Sequence, residues 1–215
     1  MAKIDLESLR QMLETLGVQD GPGLSDLERA FVTLGLATAL PCLNRADIDA
    51  AIEAAFRQGA TTTQVQEIVS LVSGLGVHSL MVSTAAIVAR AQCVEGLNTT
   101  FSSEQQALWD ARVGDDPFWE GMEAELPGFL RSMLLLSADQ FEAFFDYCAV
   151  PWKSGTVRAK VKELVALASD AMPTHAFMPG LRLHLRNAVK LGATRQAIEE
   201  CLALAAATPE HTGVA

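Results

Sequence analysis

Apolar residues recur along this chain at helical spacing. Ile4, Leu6, Leu9, Leu13 and Leu16 lie two to four residues apart, which predicts an amphipathic helix over 4–17. Ser25, with Glu28 three residues later, forms a capping-box signature. The helix it starts is apolar on most sides through Phe31, Leu34, Leu36 and Leu40, until Pro41 interrupts, so it is expected to be buried. Asn44 or Asp47 caps a helix to about Arg57, and Gly59 ends it. Thr62 or Thr63 caps the next, to about Ser73. Gly74 and Gly76 mark a short break, and a helix rich in small residues follows from His78 to about Cys93.

Residues 95–103 are the linker candidate. Beyond them a helix follows Ser103 and is broken by Gly114-Asp115-Asp116-Pro117. Short helices are predicted over 117–127 and 129–136. Ser137 caps a helix carrying Phe141, Phe144, Phe145 and Tyr147, an aromatic stripe that reads as core or interface. Pro151-Trp152 and Ser154-Gly155 predict a turn. A buried helix spans about 157–171, another runs from Pro179 to Gly192, and Thr194 caps a last one to about Ala207. No stretch alternates apolar and polar residues between hairpin signals. The chain reads as all-α.

The two ends share a pattern. Gly59-Ala60-Thr61 and Gly192-Ala193-Thr194 lie 192 − 59 = 133 residues apart. Carried outward without gaps, that offset sets Leu34 on Leu167, Cys42 on His175, Glu67 on Glu200 and His78 on His211. The chain therefore reads as two related units, 1–98 and 99–215, the second with a helical lead-in. The first continues into a helix after His78, whereas the second stops shortly after His211, so its last helix is expected to be supplied from elsewhere.

Bulk properties narrow the function. At 215 residues, 50% hydrophobic and with mean hydropathy +0.22, the chain has ample core material. A net charge of −10 argues against nucleic acid as a partner. Each apolar run reads as interrupted by Arg, Glu, Asp or Gln before it reaches membrane-spanning length, and the N-terminus lacks a signal peptide's apolar region. Four scattered cysteines without a CxxC fit a reducing compartment, so a cytoplasmic location is expected.

The residues that could carry chemistry cluster late in the chain. Glu163 and Asp170 are seven apart, on one helical face. His175 sits at the break that follows, and His184 lies on the next helix between Arg182 and Arg186. A carboxylate beside a histidine can orient the ring and raise its pKa, as a general acid or base requires. Arginine offers two-pronged recognition of a substrate carboxylate. Plainer readings stand beside these. Glu163 can be a solvated helix residue, Asp170 a local helix-end polar group, and His175 and His184 satisfied, half-buried histidines. Arg182 and Arg186 can simply pair with acids. His211 shares a broken turn with its counterpart His78. No HxH or HExxH spacing points to a metal site, and Cys42 reads as a buried thiol.

The run KELVALASDAMPTHAFMPGLRLHLRNAVKLGAT, preceded by FFDYCAVPWKSG, resembles the carboxymuconolactone decarboxylase-like family of the alkylhydroperoxidase D-like all-α superfamily. The resemblance covers roughly Phe141–Ala215, and the first half matches more weakly through Gly59-Ala60-Thr61 and Gly74 to His78. It implies an alkylhydroperoxidase D-like helical fold with two tandem units. The peroxidase branch has a glutamate, eleven residues, then CxxCH. Here Glu163 stands at the glutamate, but His175 and Met178 replace the cysteines. In the first half Ala30 replaces the glutamate, Cys42 keeps one cysteine and Arg45 replaces the other. Neither half holds a dithiol, so disulfide-relay peroxidase chemistry is not expected.

The decarboxylase branch fits better. It implies cofactor-independent acid–base chemistry on a small carboxylate or lactone, in a homo-oligomer. In that reading Glu163, His175, His184 and His211 are the catalytic candidates, and Arg182 and Asp170 the substrate-binding ones. A single-thiol peroxidase using Cys42 and His78, and a non-catalytic scaffold, are the alternatives.

Overall fold

The computed structural model describes residues 6–209 and 211. Ile4, the first apolar position of the predicted N-terminal helix, lies outside them. The described residues form α-helices and no strand. They divide into two compact units, one of Met1–Leu75 with Val150–Ala215, the other Gly76–Ala149. This division by contact falls at 75/76 and 149/150, whereas the sequence division at 98/99 falls in the loop after the fifth helix.

The first unit holds α1 (Leu6–Thr15), α2 (Asp26–Thr38), α3 (Arg45–Arg57), α4 (Thr62–Ser73), α10 (Ala159–Asp170), α11 (Met178–Lys190) and α12 (Arg195–Ala206). The caps explain most of the boundaries. Ser25 and Glu28 form the expected capping box, and the Asn44 side chain accepts from Ala46 N and Asp47 N. At α4 the cap is Thr61, one residue before the predicted Thr62 or Thr63, because Gln64 at the third helical position completes a capping box only with Thr61.

At the centre α2 packs on α10. A Cβ on Gly35 would stand 2.5 Å from Val165 Cγ1, so the glycine permits a close approach of the two backbones. Leu34, Val165, Leu167, Ile68 and Ile198 are fully buried around this contact. Residues 161–170 of α10 are buried on every side.

α2, α3 and α4 begin 133 residues before α10, α11 and α12, at 26/159, 45/178 and 62/195. Polar contacts repeat at the same interval. Glu200 accepts from Leu24 N (3.2 Å) and from Arg29 Nη2 (2.6 Å). Glu67 accepts from Val157 N (3.3 Å) and pairs with Lys162, and 157 − 24, 162 − 29 and 200 − 67 each equal 133. The two pairs differ in burial. Arg29 and Glu200 are partly exposed, whereas the Lys162 and Glu67 side chains are 3% and 2% exposed. Lys162 Nζ also donates to Pro151 O at 2.6 Å, and the Trp152 ring lies 5.5 Å away.

The second unit is built on α5 (His78–Glu95), α6 (Ser103–Arg112), α7 (Pro117–Glu125), α8 (Phe129–Leu136) and most of α9 (Ala138–Lys153). Its core is aromatic. Phe144 and Phe145 each meet Trp119, Phe144 meets Phe129 edge-on, and Phe141 packs between Trp109 and Phe145. The Phe141, Phe144, Phe145 stripe is thus a core.

The short break expected at Gly74 and Gly76 is a 3-10 turn over Gly74–Val77, between α4 and α5. Two expectations are corrected. The run Thr62–Glu95 is long and apolar enough by length and composition to cross a membrane, because residues 68–89 contain no Asp, Glu, Lys, Arg or Gln. The expectation that every apolar run is interrupted therefore fails there. Finally, α9 continues through Pro151 to Lys153 instead of turning at Pro151-Trp152.

A buried ion pair is costly to break from one side. Lys162→Met leaves Glu67 buried without its cation, and a loss of about 3–5 kcal/mol is expected in denaturant unfolding. The double variant Lys162→Met/Glu67→Gln should recover much of that loss. Equal losses in the single and double variants would contradict this account.

Candidate functional site

Helix α10 places Glu163 and Asp170 on one face, 4% and 1% exposed. The chain then reverses in a short loop. Met172 O accepts from His175 N (2.9 Å) and Ala176 N (2.8 Å), and Asp170 O accepts from Phe177 N (2.9 Å). Ala176 takes φ +46°, the left-handed conformation that L-residues seldom adopt. This turn sets His175 beside the end of α10 and starts α11, with Pro179 in its first turn.

Helix α11 returns along α10. His184 Nδ1 meets Glu163 Oε2 at 2.6 Å, and Asn187, three residues on and so on the same side of α11, donates Nδ2 to Glu163 Oε1 at 3.3 Å. The other ring nitrogen of His184, Nε2, faces Asp170 Oδ2 at 3.9 Å. His175 Nε2 faces Asp170 Oδ1 at 3.7 Å. Within this unit the order is therefore Glu163, His184, Asp170, His175. The carboxylates lie deep, at 6% and 2% side-chain exposure, while the rings of His184 and His175 are 20% and 18% exposed. Any small molecule reaching this cluster meets imidazole first.

Two contributors escaped sequence reasoning. Asn187 had a legible signal, its spacing of three from His184. Gly180 had a weaker one, the Pro-Gly pair at a helix start. A Cβ on Gly180 would stand 2.1 Å from Asp170 Oδ2 and 2.8 Å from Phe177 Cδ1. The Asp170 carboxylate thus lies directly against the first turn of α11, in space that only glycine leaves open.

Electrostatics sets the protonation states. Burial alone would lower the His184 pKa. The hydrogen bond to Glu163, the charge of Glu163 and the charge of Asp170 outweigh it and raise the ring above its ordinary value. Burial pushes the Asp170 carboxyl up to about 7, with His184 opposing. Burial lowers His175, which favours its neutral ring. His184 can hold a proton with its Nδ1–H donated to Glu163, next to a carboxyl that titrates near neutrality. This is proton-transfer equipment.

The structure brings together Glu163, Asp170, His175 and His184. Arg182 is half-buried on α11, two residues before His184 and so about 200° around the helix, with its Cβ directed away from that face. His211 is exposed, beyond α12. Cys42, which the offset of 133 sets on His175, is 3% exposed, and its Sγ lies 3.5 Å from Met172 Sδ. Burial raises its thiol pKa, which disfavours the reactive thiolate.

The linkage sign at Asp170 follows from its folded pKa of about 7, above the ordinary carboxyl value of about 3.9. The folded state keeps a proton that the unfolded chain releases. Stability from this source is complete below about pH 4 and is lost as pH rises through about 7. Asp170→Asn should flatten that part of the decline in melting temperature between about pH 4 and 7. An unchanged slope would show that Asp170 ionises as an ordinary carboxyl.

Residues 138–210 match the carboxymuconolactone decarboxylase family, a segment that includes all four clustered residues. A crystal structure of a protein provisionally named as a gamma-carboxymuconolactone decarboxylase subunit, from Burkholderia xenovorans LB400, is similar with a TM-score of 0.71 and 27% identity. The similarity covers 94% of this chain and 90% of that one. No curated protein matches. Residues 138–210 are thus similar to the carboxymuconolactone decarboxylase family, and the all-helical fold is similar to that of the solved structure.

Proposed function

We propose that the chain is a decarboxylase-like lyase that applies cofactor-independent acid–base chemistry to a small organic acid or lactone. The observation that carries this reading is the 2.6 Å contact between His184 Nδ1 and Glu163 Oε2, inside the segment that matches the family. Loss of carbon dioxide leaves a carbanion-like centre that must take up a proton. His184 is the donor suited to that step. Glu163 fixes the ring and stabilises its protonated form, and Asn187 holds the second oxygen of Glu163. Arg182 is assigned no step, because its Cβ points away from the His184 face.

The reading includes a duplicated unit with one working site. Counting back 133 residues, Glu163, Asp170, His175 and His184 fall on Ala30, Ala37, Cys42 and Ala51. Three of these cannot titrate, and the fourth is a buried thiol. The first copy then serves as scaffold. The same burial argues against a peroxidase built on Cys42. It also includes self-association through the second unit, where Val82, Ile87 and Val94 of α5 are exposed large apolar residues.

Turnover of a panel of lactones and small carboxylic acids tests the reading, with melting-temperature shifts by the same compounds as a second readout. His184→Ala should lower kcat by roughly 100-fold or more, and Glu163→Gln should also impair it. Cys42→Ser should retain activity. Activity lost in Cys42→Ser but kept in His184→Ala would contradict the reading. Sedimentation at micromolar concentration should give a mass above the 23.0 kDa of one chain, and a monomer would contradict the self-association.

A further inference from the structure

We propose that Asp170 is a proton carrier between His184 and His175, held in place by Gly180, so that His175 recharges the buried acid–base pair from solvent. The inference rests on the acid–base reading of Glu163 and His184 but adds a different component to it.

The geometry is a series. His184 uses Nδ1 for Glu163, which leaves Nε2 as the ring position available for exchange. That nitrogen faces one oxygen of Asp170 at 3.9 Å, and His175 Nε2 faces the other at 3.7 Å. Within this unit, the titratable groups facing the Asp170 carboxyl are His184 from α11 and His175 from the loop after α10, with Glu163 behind His184. Both separations exceed a direct hydrogen bond, and each is closed by a ring rotation or bridged by one water. Asp170 has 2% of its side chain exposed and cannot exchange protons efficiently with bulk water by itself, whereas His175 at 18% can.

Gly180 makes the arrangement possible. With any side chain at 180, a Cβ would occupy the position of Asp170 Oδ2, at 2.1 Å, and the carboxyl would have to leave the line between the two rings.

His184 gives its Nε2 proton to the substrate carbon and becomes neutral, keeping Nδ1–H on Glu163. The protonated Asp170 carboxyl gives its proton to Nε2 and becomes a carboxylate. His175 gives its Nε2 proton to that carboxylate and takes one at Nδ1 from a buffer acid, leaving the conjugate base; loss of the Nδ1 proton to solvent and uptake of one at Nε2 then restore its starting tautomer. No electron pair is gained or lost by the chain.

The test follows the histidine ring signals of the full-length protein by NMR through a pH titration, in wild type, Asp170→Asn and Gly180→Ala. Asparagine keeps the shape and removes the exchangeable carboxyl proton. In wild type, His184 and His175 should share an inflection from Asp170. Asp170→Asn should abolish the shared inflection while circular dichroism stays unchanged. Gly180→Ala should weaken it although Asp170 is retained, because the added Cβ displaces the carboxyl from between the two rings. Independent single titrations of the two rings, unchanged in Asp170→Asn, would overturn the proposal. The outcomes separate it from the reading it rests on. A shared inflection in a protein that turns over no lactone or acid upholds the relay and refutes the reaction. Turnover with independent titrations upholds the reaction and refutes the relay.

Discussion

Helix α10 is buried on every side across residues 161–170, yet it carries three ionisable side chains, Lys162, Glu163 and Asp170. Burying charge is expensive unless each group finds a partner or gives up its charge. The architecture around α10 answers that demand three times. Lys162 is met by Glu67 from α4 and by a backbone carbonyl. Glu163 is met by His184 and Asn187 from α11. Asp170 lies between two imidazoles, and burial brings its proton affinity up to about neutrality. The first solution serves stability. The other two leave an imidazole whose proton affinity is raised and a carboxyl that titrates near neutrality.

The Glu67 contacts show how position is transmitted. Burial would raise this carboxyl, but hydrogen bonds from Lys162, Ser154 and Thr156 hold it down at about 2. It therefore stays charged across the physiological range and keeps the 154–157 turn fastened to α4. Because Lys162 directly precedes Glu163, the same contact fixes the rotation of α10 that aims Glu163 at α11. The counterpart pair, Arg29 and Glu200, is more exposed and joins α2 to α12, next to a site that contains only alanines and a buried thiol.

Much of this was legible in the sequence because it depends on local rules. Capping boxes, the spacing of leucines and the Gly-Ala-Thr punctuation gave helices and most boundaries. The seven-residue spacing of Glu163 and Asp170 put them on one face, and the RxHxR-like run supplied His184. What the sequence did not disclose depends on partners distant along the chain. The pairing of His184 with Glu163 could be expected, but not that Asp170 would lie against Gly180. That contact needs α10 and α11 packed before the missing Cβ has meaning. Arg182, close to His184 in sequence, lies about 200° from it around α11. The glycines at 74 and 76 marked the break between α4 and α5, but not its 3-10 form, because glycine permits many turns without compelling one.

The central claim is that Glu163 holds His184 as a proton carrier, and the most direct measurement is the pKa of the His184 ring by NMR in wild type and Glu163→Gln. The account predicts a wild-type value above the ordinary histidine value of about 6.5 and a clear fall once the carboxylate charge is removed. An ordinary or lowered value in wild type, unmoved by the substitution, would contradict it.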